Sequence, residues 1–136
     1  MDIHNIDRKL GQSVLDPMVG IKIVSVVRGR KDGYHVAEIN RQVNAHVHKG
    51  GDEFYHILSG LGIMRIGKVT FKDNKPAEVD WLPPSNVSQN DVFVVPEGYA
   101  HSLKNKEDKP LIIGFICPHS HLDEDRHIVE NPPQED

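Results

Sequence analysis

The sequence predicts a single all-β domain, built as a sandwich or a small barrel. Its apolar residues fall into many short, β-branched runs, of which Ile21 to Val27 is typical. Turn-forming pairs such as Asp73-Asn74 and Pro83-Pro84 separate these runs. Another turn is predicted at Pro96-Glu97-Gly98, with Pro at the second turn position and Gly at the fourth. No stretch shows convincing helical periodicity, and a closed or sandwiched sheet would protect the many strand edges.

Length and composition set the class of protein. The chain has 136 residues, enough for one domain with a core of its own. Its 38% hydrophobic and 26% charged residues are typical of a globular protein that is neither disordered nor embedded in a membrane. A net charge of -4 without a Lys/Arg cluster argues against nucleic acid as a partner. The single cysteine excludes an internal disulfide, and together with the lack of a signal peptide this predicts a cytoplasmic protein.

The predicted elements follow one another without repeats. In order, the predicted divisions are an N-terminal arm with weak structure at 1–20, the barrel at 21–118 and a polar tail at 119–136. The predicted strands are 21–27, 34–48 with a bulge, 53–59, 63–66, a hairpin plus a loop over 68–89, then 92–95, 100–105 and 111–117. One helical turn is expected in the tail, around residues 123–128.

Two histidines near the middle of the chain carry the first chemical signal. His46 and His48 lie two residues apart on a predicted strand, so both side chains face the same way. The bend at Gly50-Gly51 can bring the carboxylate of Glu53 back from the neighbouring strand. Two nitrogens and one oxygen suit a first-row divalent metal better than calcium or magnesium. The candidate for a fourth ligand is His101, at the start of a later strand.

These residues lie in two motifs through which the chain resembles the cupin superfamily. The first cupin motif is Gly, five residues, His-x-His, three or four residues, Glu, six residues and Gly, and it is matched by His46, His48, Glu53 and Gly60. The second is Gly, five residues, Pro-x-Gly, two residues, His, three residues and Asn, and it is matched by Pro96, Gly98, His101 and Asn105. Asn40 and Asn90 replace the leading glycines. Asparagine tolerates a positive φ, so we expect both turns to survive.

The resemblance implies a single-domain cupin-like β-barrel, also called a double-stranded β-helix or jelly roll. It further implies that His46, His48, Glu53 and His101 bind one divalent transition metal inside the barrel. Fe, Mn, Ni, Co, Cu and Zn all accept imidazole and carboxylate ligands, so the residue types do not select one. The alternative is that the four are hydrogen-bonded polar residues in a barrel that has lost its metal.

Strand parity predicts which residues face the site. If Glu53 points inward, Tyr55 and Ile57 do too. The intervening residues Phe54, His56 and Leu58 then face outward, which makes His56 a structural or interfacial residue. Because the apolar outward side chains need cover, and by the family resemblance, we expect a homodimer.

Several polar side chains are candidates for contact with a substrate. Gln42 and Asn44 share the predicted face of His46 and His48, where they would orient a polar substrate or hydrogen-bond to the metal ligands. Tyr55 is the nearest candidate for a catalytic base. Arg65 is a candidate to pair with an anionic substrate, although a lone arginine on a strand is more often solvated or salt-bridged.

The tail contains a second His-x-His. His119 and His121 allow a second metal site or a lid over the pocket. Both follow Pro118, and no matching carboxylate or histidine is evident elsewhere, so a solvated connector is the favoured interpretation. Cys117 ends an apolar strand and is expected to be a small buried residue rather than a nucleophile.

Two classes of function follow. The first is a metal-dependent enzyme acting on a small polar substrate, either a dioxygenase or an isomerase or lyase in which the metal polarises a carbonyl or hydroxyl. The second is a non-catalytic module that binds a metal or a small ligand such as a sugar. In both, the partner is a small molecule, with neither nucleic acid nor membrane involved.

Overall fold

Two curved antiparallel sheets face each other in the computed structural model, which describes residues 1–134. The elements are α1 (Ile6–Leu10), β1 (Val14–Asp16), β2 (Ile21–Arg28), β3 (Asp32–Ile39), β4 (His46–Val47), β5 (Glu53–Ser59), β6 (Leu61–Lys72), β7 (Lys75–Trp81), β8 (Ser85–Ser88), β9 (Val92–Val95), β10 (Tyr99–Asn105), β11 (Leu111–Pro118), a 3₁₀ helix (His119–Leu122) and β12 (His127–Ile128). The first sheet has the order β1-β2-β3-β11-β5-β9 and the second β12-β4-β10-β6-β7, with β8 paired to β6. The predicted all-β class is confirmed.

The main core lies between the sheets and follows the predicted parity. Along β5, Glu53, Tyr55 and Ile57 are buried, whereas Phe54 is 50% exposed on the outer face. Leu103 and Ile113 join the same core from β10 and β11. Each fully buried aliphatic side chain of this kind contributes roughly 1.5–3 kcal/mol.

The predicted strand at 34–48 is wrong, because the chain changes sheets within it. β3 ends at Ile39 in the first sheet, and the chain resumes pairing at His46 in the second. The side chain of Asn105 supports this crossover by donating to the carbonyls of Ile39, Asn40 and Lys109 at 3.1, 3.2 and 2.8 Å. The β-branched composition of the segment does not reveal which sheet each half joins.

Residues 1–20 and 119–134 contain more secondary structure than the sequence predicts. The arm at 1–20 contains α1, capped by Asn5, and β1, which pairs with β2. The predicted helical turn lies earlier, at His119–Leu122, and β12 follows it on the edge of the second sheet. Val129 then packs on a small outer cluster that includes Val47 and Trp81. Within residues 1–134, no helix has the length and apolar character needed to cross a membrane.

Turn conformations explain several of the polar positions. Asp73 and Asn74 have φ values of 53° and 64°, as a two-residue hairpin between β6 and β7 requires. Asn90 also adopts a positive φ, of 73°, as expected for a residue at a glycine position, whereas Asn40 does not. The turn before β10 is shifted by one residue from the prediction. The Tyr99 N–H donates to the Pro96 carbonyl at 3.2 Å, which places Gly98, with φ of 79°, at the third position.

One buried histidine of the first sheet makes stability depend on pH. His35 is fully buried, with Nδ1 2.9 Å from Ser25 Oγ. Burial, and next the charge of Arg28, lower the pKa of His35 from 6.5 to about 4. The unfolded chain therefore binds a proton that the folded chain excludes between these two values, so the free energy of unfolding falls as the pH drops through this window.

We expect His35→Gln to lose less unfolding free energy than the wild type between about pH 7 and about pH 5, as measured by urea denaturation. The exposed His4 provides the control, because His4→Gln should show the wild-type loss. An equal loss in His35→Gln and wild type would contradict the assignment.

Candidate metal centre

The four residues named by the two motifs meet between the sheets. His46 on β4 and His101 on β10 are directly paired across the second sheet, and Glu53 opens β5 in the first. The ligand nitrogens of His46, His48 and His101 lie within 4.8 Å of one another. Glu53 Oε2 is 3.1 Å from His101 Nε2 and 3.4 Å from His48 Nε2. One ion can therefore be shared by the four side chains.

Two glycine turns interlock to hold this geometry. Gly51 has φ of 87°, and a Cβ there would lie 2.6 Å from Pro118 Cγ, so only glycine fits. Its N–H donates to the Glu97 carboxylate at 3.0 Å. In return, the Gly98 N–H donates to the His48 carbonyl at 2.8 Å. The turn of the second motif is thereby tied to the loop of the first.

Backbone carbonyls set the orientation of two imidazoles. His46 Nδ1 lies 2.8 Å from the Asn44 carbonyl, and His48 Nδ1 lies 2.6 Å from the Asp125 carbonyl. A carbonyl only accepts, so each Nδ1 carries the hydrogen and each Nε2 presents its lone pair to the centre. This is the arrangement that metal-binding histidines adopt in proteins.

The atoms that face the centre lack partners of their own. Nε2 of His48, Nε2 of His101 and Oε2 of Glu53 are buried. Although Oε2 lies 3.1 and 3.4 Å from the two nitrogens, no hydrogen bond joins these atoms to each other or to another group in the part of the chain that the structure describes. An unpaired buried polar group costs roughly 1–3 kcal/mol, and more when it is charged. A bound cation would satisfy all three at once, so the residues fit a metal.

Burial and mutual contacts also place His46, His101 and Glu53 in their ligating forms. Burial lowers the pKa of His46 well below its usual value and lowers that of His101 as well. For Glu53, burial alone would raise the pKa, but the surrounding imidazoles outweigh it, and the pKa lies well below its usual value. Neutral imidazoles and a carboxylate are the forms that bind metals.

The structure adds His121 to this cluster, which corrects the expectation of a solvated connector. His121 is 1% exposed, and its ring stacks on His48 with centroids 3.8 Å apart. Nδ1 lies 3.8 Å from Glu53 Oε1, and Nε2 lies 2.7 Å from the Gly50 carbonyl. The second His-x-His in the sequence already marked His121 as a candidate. The sequence did not show that its partners are His48 and Glu53 of the first motif. His119 points elsewhere, with Nε2 2.8 Å from the carbonyl of Gly29.

Asp125 is a second residue of the tail that sequence reasoning missed. Its carboxylate accepts the N–H groups of Lys49 at 2.8 Å and Gly50 at 2.9 Å, while its carbonyl holds His48. Those backbone N–H groups lower the pKa of Asp125 against the opposing effect of its burial. No local motif marks this role, because the partners are more than seventy residues apart in the chain.

The predicted residues of β5 separate into two environments. Tyr55 lines the cavity beside the cluster, with its ring 5.8 Å from that of His101 and 5.3 Å from that of Phe93. Burial, and then the charge of Glu53, raise the pKa of Tyr55 well above its usual value, so its hydroxyl is protonated and suited to donate rather than to act as a base. Ile57 packs in the main core. His56 lies outside the cluster, as expected, with Nε2 3.5 Å from Asn90 Oδ1.

The other predicted pocket residues lie away from the metal ligands. Gln42 donates to Ser102 Oγ at 3.0 Å and, with Arg65, lines a separate groove of about 210 Å³ on the outer face of the second sheet. Asn44 turns its amide to the Met18 carbonyl at 3.3 Å. The parity argument fails for Gln42 and Asn44 because residues 40–45 cross between the sheets and do not form a strand.

The cavity next to the four ligands is small. Its volume is about 20 Å³, which holds an ion or a water molecule. Apolar residues of β2 and β11 line it together with three tail residues, His121, Leu122 and Arg126. Arg126 also forms an ion pair with Asp16 of β1, so this pair ties the tail to the N-terminal strand.

Comparison with known proteins supports the fold. No family model and no curated protein matches the sequence. Among solved structures, a conserved protein with a double-stranded β-helix domain from Klebsiella pneumoniae matches with a TM-score of 0.67 and 16% identity, over 96% of this chain and 99% of that one. The cupin domain of Cnp3 from Schizosaccharomyces pombe matches with a TM-score of 0.58 and 16% identity, over 76% and 68%.

A third similar structure is an enzyme. Oxalate decarboxylase from Lactobacillus farciminis matches with a TM-score of 0.60 and 16% identity, over 79% of this chain and 31% of that one. The protein therefore has a cupin fold, the double-stranded β-helix that the two motifs predict.

Proposed function

We propose that the protein is a metal-dependent enzyme that acts on a small polar substrate. The observation that carries this proposal is the cluster of three imidazoles and one carboxylate, in which Nε2 of His48, Nε2 of His101 and Oε2 of Glu53 are buried without hydrogen-bond partners within the described residues. An enzyme of the same fold, oxalate decarboxylase, is named for a small polar substrate. Sites with strongly shifted pKa values in a cleft are frequent sites of catalysis.

Each residue has a defined part in this proposal. Nε2 of the three motif histidines and Oε2 of Glu53 would hold the ion. When bound, the ion supplies a Lewis acid that polarises a carbonyl or hydroxyl, or a redox centre if it is iron, manganese or copper. Tyr55 holds a proton on its hydroxyl at neutral pH and is placed to donate a hydrogen bond to a ligand. Ile113 and Phe115 form the apolar wall that excludes bulk water.

A non-catalytic metal-binding module is the second candidate function, and the size of the cavity favours it over binding of a substrate or of another small organic ligand. A volume of about 20 Å³ is far below the roughly 300 Å³ of ordinary small-molecule pockets. For catalysis, the tail residues Leu122 and Arg126 would have to move aside to admit a substrate. Turnover therefore distinguishes the two functions.

The decisive experiment loads anaerobic protein with Fe(II), adds a panel of thiols, diketones and phenols, and measures oxygen consumption on aeration. Uptake with one substrate class, absent in metal-free protein, supports a dioxygenase. Parallel reactions of Mn(II)- and Zn(II)-loaded protein with sugars and keto acids, followed by NMR, test the isomerase and lyase alternatives. Turnover that persists in metal-free protein, or no turnover in either assay, would contradict the metal-dependent enzyme.

We also propose that the protein forms a homodimer through the outer face of the first sheet. A row of apolar side chains crosses five adjacent strands on this face. Each residue of the row is directly paired with the next on the neighbouring strand, in the order Val94, Phe54, Ile116, Tyr34 and Val27. Phe54 is 50% exposed, and Ile116 and Val94 are each 42% exposed. A continuous apolar face of this kind is characteristic of protein interfaces, and a two-fold contact would cover both copies at once.

Sedimentation analysis tests this interface. Wild-type protein should sediment as a dimer, and Phe54→Lys should sediment as a folded monomer, because the introduced charge would be buried against the partner. Leu82, which is 44% exposed outside this row, provides the control, and Leu82→Lys should stay dimeric. A monomeric wild type would refute the interface.

A further inference from the structure

We propose that His121 is a positioning residue of the metal centre, which supports the ring of His48 and lies beside the second oxygen of Glu53 without ligating the ion itself. This inference rests on the proposed metal site. It makes the C-terminal segment from residue 118 to 127 a structural part of that site. Metal affinity would therefore depend on a residue that lies in neither of the two sequence motifs.

The contacts of His121 leave one nitrogen aimed at Glu53. Nε2 is 2.7 Å from the Gly50 carbonyl, which fixes the plane of the ring. Nδ1 then lies 3.8 Å from Glu53 Oε1, is buried and has no hydrogen-bond partner within residues 1–134. The other carboxylate oxygen, Oε2, faces His101 and His48. Each oxygen of Glu53 thus has its own neighbours. Nδ1 makes no hydrogen bond to Oε1, because 3.8 Å is too long and the hydrogen of the neutral ring lies on Nε2.

His48, Glu53 and His121 also lie close enough together to hold an ion, but the ring planes argue against His121 and His48 as ligands of the same ion. A metal bound to an imidazole nitrogen lies close to the plane of that ring. The His121 and His48 planes are inclined by only 4° with centroids 3.8 Å apart, so they do not meet at one ion. The planes of the three motif histidines are inclined to one another by 79°, 58° and 43°, and such planes do intersect. The same stacking places His121 as a support behind His48.

The same segment fixes His48 from a second direction. The carboxylate of Asp125 accepts hydrogen bonds from the backbone N–H groups of Lys49 and Gly50. Its backbone carbonyl accepts a hydrogen bond from His48 Nδ1. His121 therefore restrains the ring of His48, and Asp125 restrains the loop at 48–50 that carries it. Residues that orient ligands in this way typically contribute 10–100-fold to metal affinity.

A matched pair of substitutions separates the stacked ring of His121 from its nitrogens. In His121→Gln, the amide nitrogen can replace Nε2 and keep the bond to Gly50, but no ring remains to stack on His48. In His121→Phe, a ring can still stack on His48, but both nitrogens are lost. His119 belongs to the same 3₁₀ helix but contacts Gly29, so His119→Gln is the control.

Zn²⁺ affinity is measured by competition with a chromophoric chelator on folded full-length protein, and Co²⁺ absorption reports the coordination geometry. His121→Gln should bind Zn²⁺ roughly 10–100-fold more weakly than wild type with a shifted Co²⁺ spectrum, whereas His121→Phe keeps most of the affinity and His119→Gln matches wild type. Pulsed EPR of the Cu²⁺ form should count three imidazoles in both wild type and His121→Gln.

Three results would overturn the inference. Unchanged Zn²⁺ affinity in His121→Gln would remove His121 from the site and leave the four-ligand centre intact. A fourth imidazole in the wild-type EPR spectrum that disappears in His121→Gln would make His121 a ligand. A wild type that binds no Zn²⁺ would refute the metal centre itself, which is the failure of the proposed function rather than of this residue alone.

Discussion

The buried carboxylate of Glu53 is the constraint on which the rest of the site depends. A charge taken out of water costs several kcal/mol unless close partners compensate it. Glu53 is 3% exposed, and its compensation comes from imidazoles on three sides. Those imidazoles, of His48, His101 and His121, are themselves buried, and backbone carbonyls hold His48 and His121 in place. The arrangement has more inward-facing acceptors than donors, and a cation is the partner that such a set lacks.

The fold brings these groups together from both sheets. His46 and His101 are neighbours in the second sheet, whereas Glu53 belongs to the first, so the site exists only when the sheets face each other. The interlocked turns at Gly51 and Gly98 tie the two motif loops directly. The tail then closes the cluster on one side, and its Arg126 pairs with Asp16 near the N terminus. The site therefore requires both sheets, both motif loops and the tail to be packed together.

The sequence predicts those features of the fold and the site that depend on residues close together in the chain. Turn residues and short β-branched runs gave the all-β fold, and alternation along β5 placed Glu53 and Tyr55 inward. The same reasoning failed for Gln42 and Asn44, because alternation holds only within a strand and these residues cross between sheets. His121 and Asp125 were missed for a different reason. Their partners lie about seventy residues away in the chain, and only the packing of the tail brings them into contact.

The central claim is that these side chains form one metal site, and metal content tests it most directly. Protein equilibrated with transition metals, freed of excess by gel filtration and analysed for its elements should retain about one ion per chain. His101→Ala should lose it, while His56→Ala, whose side chain lies outside the cluster, should retain it. Undiminished metal content in His101→Ala would contradict the four-ligand centre.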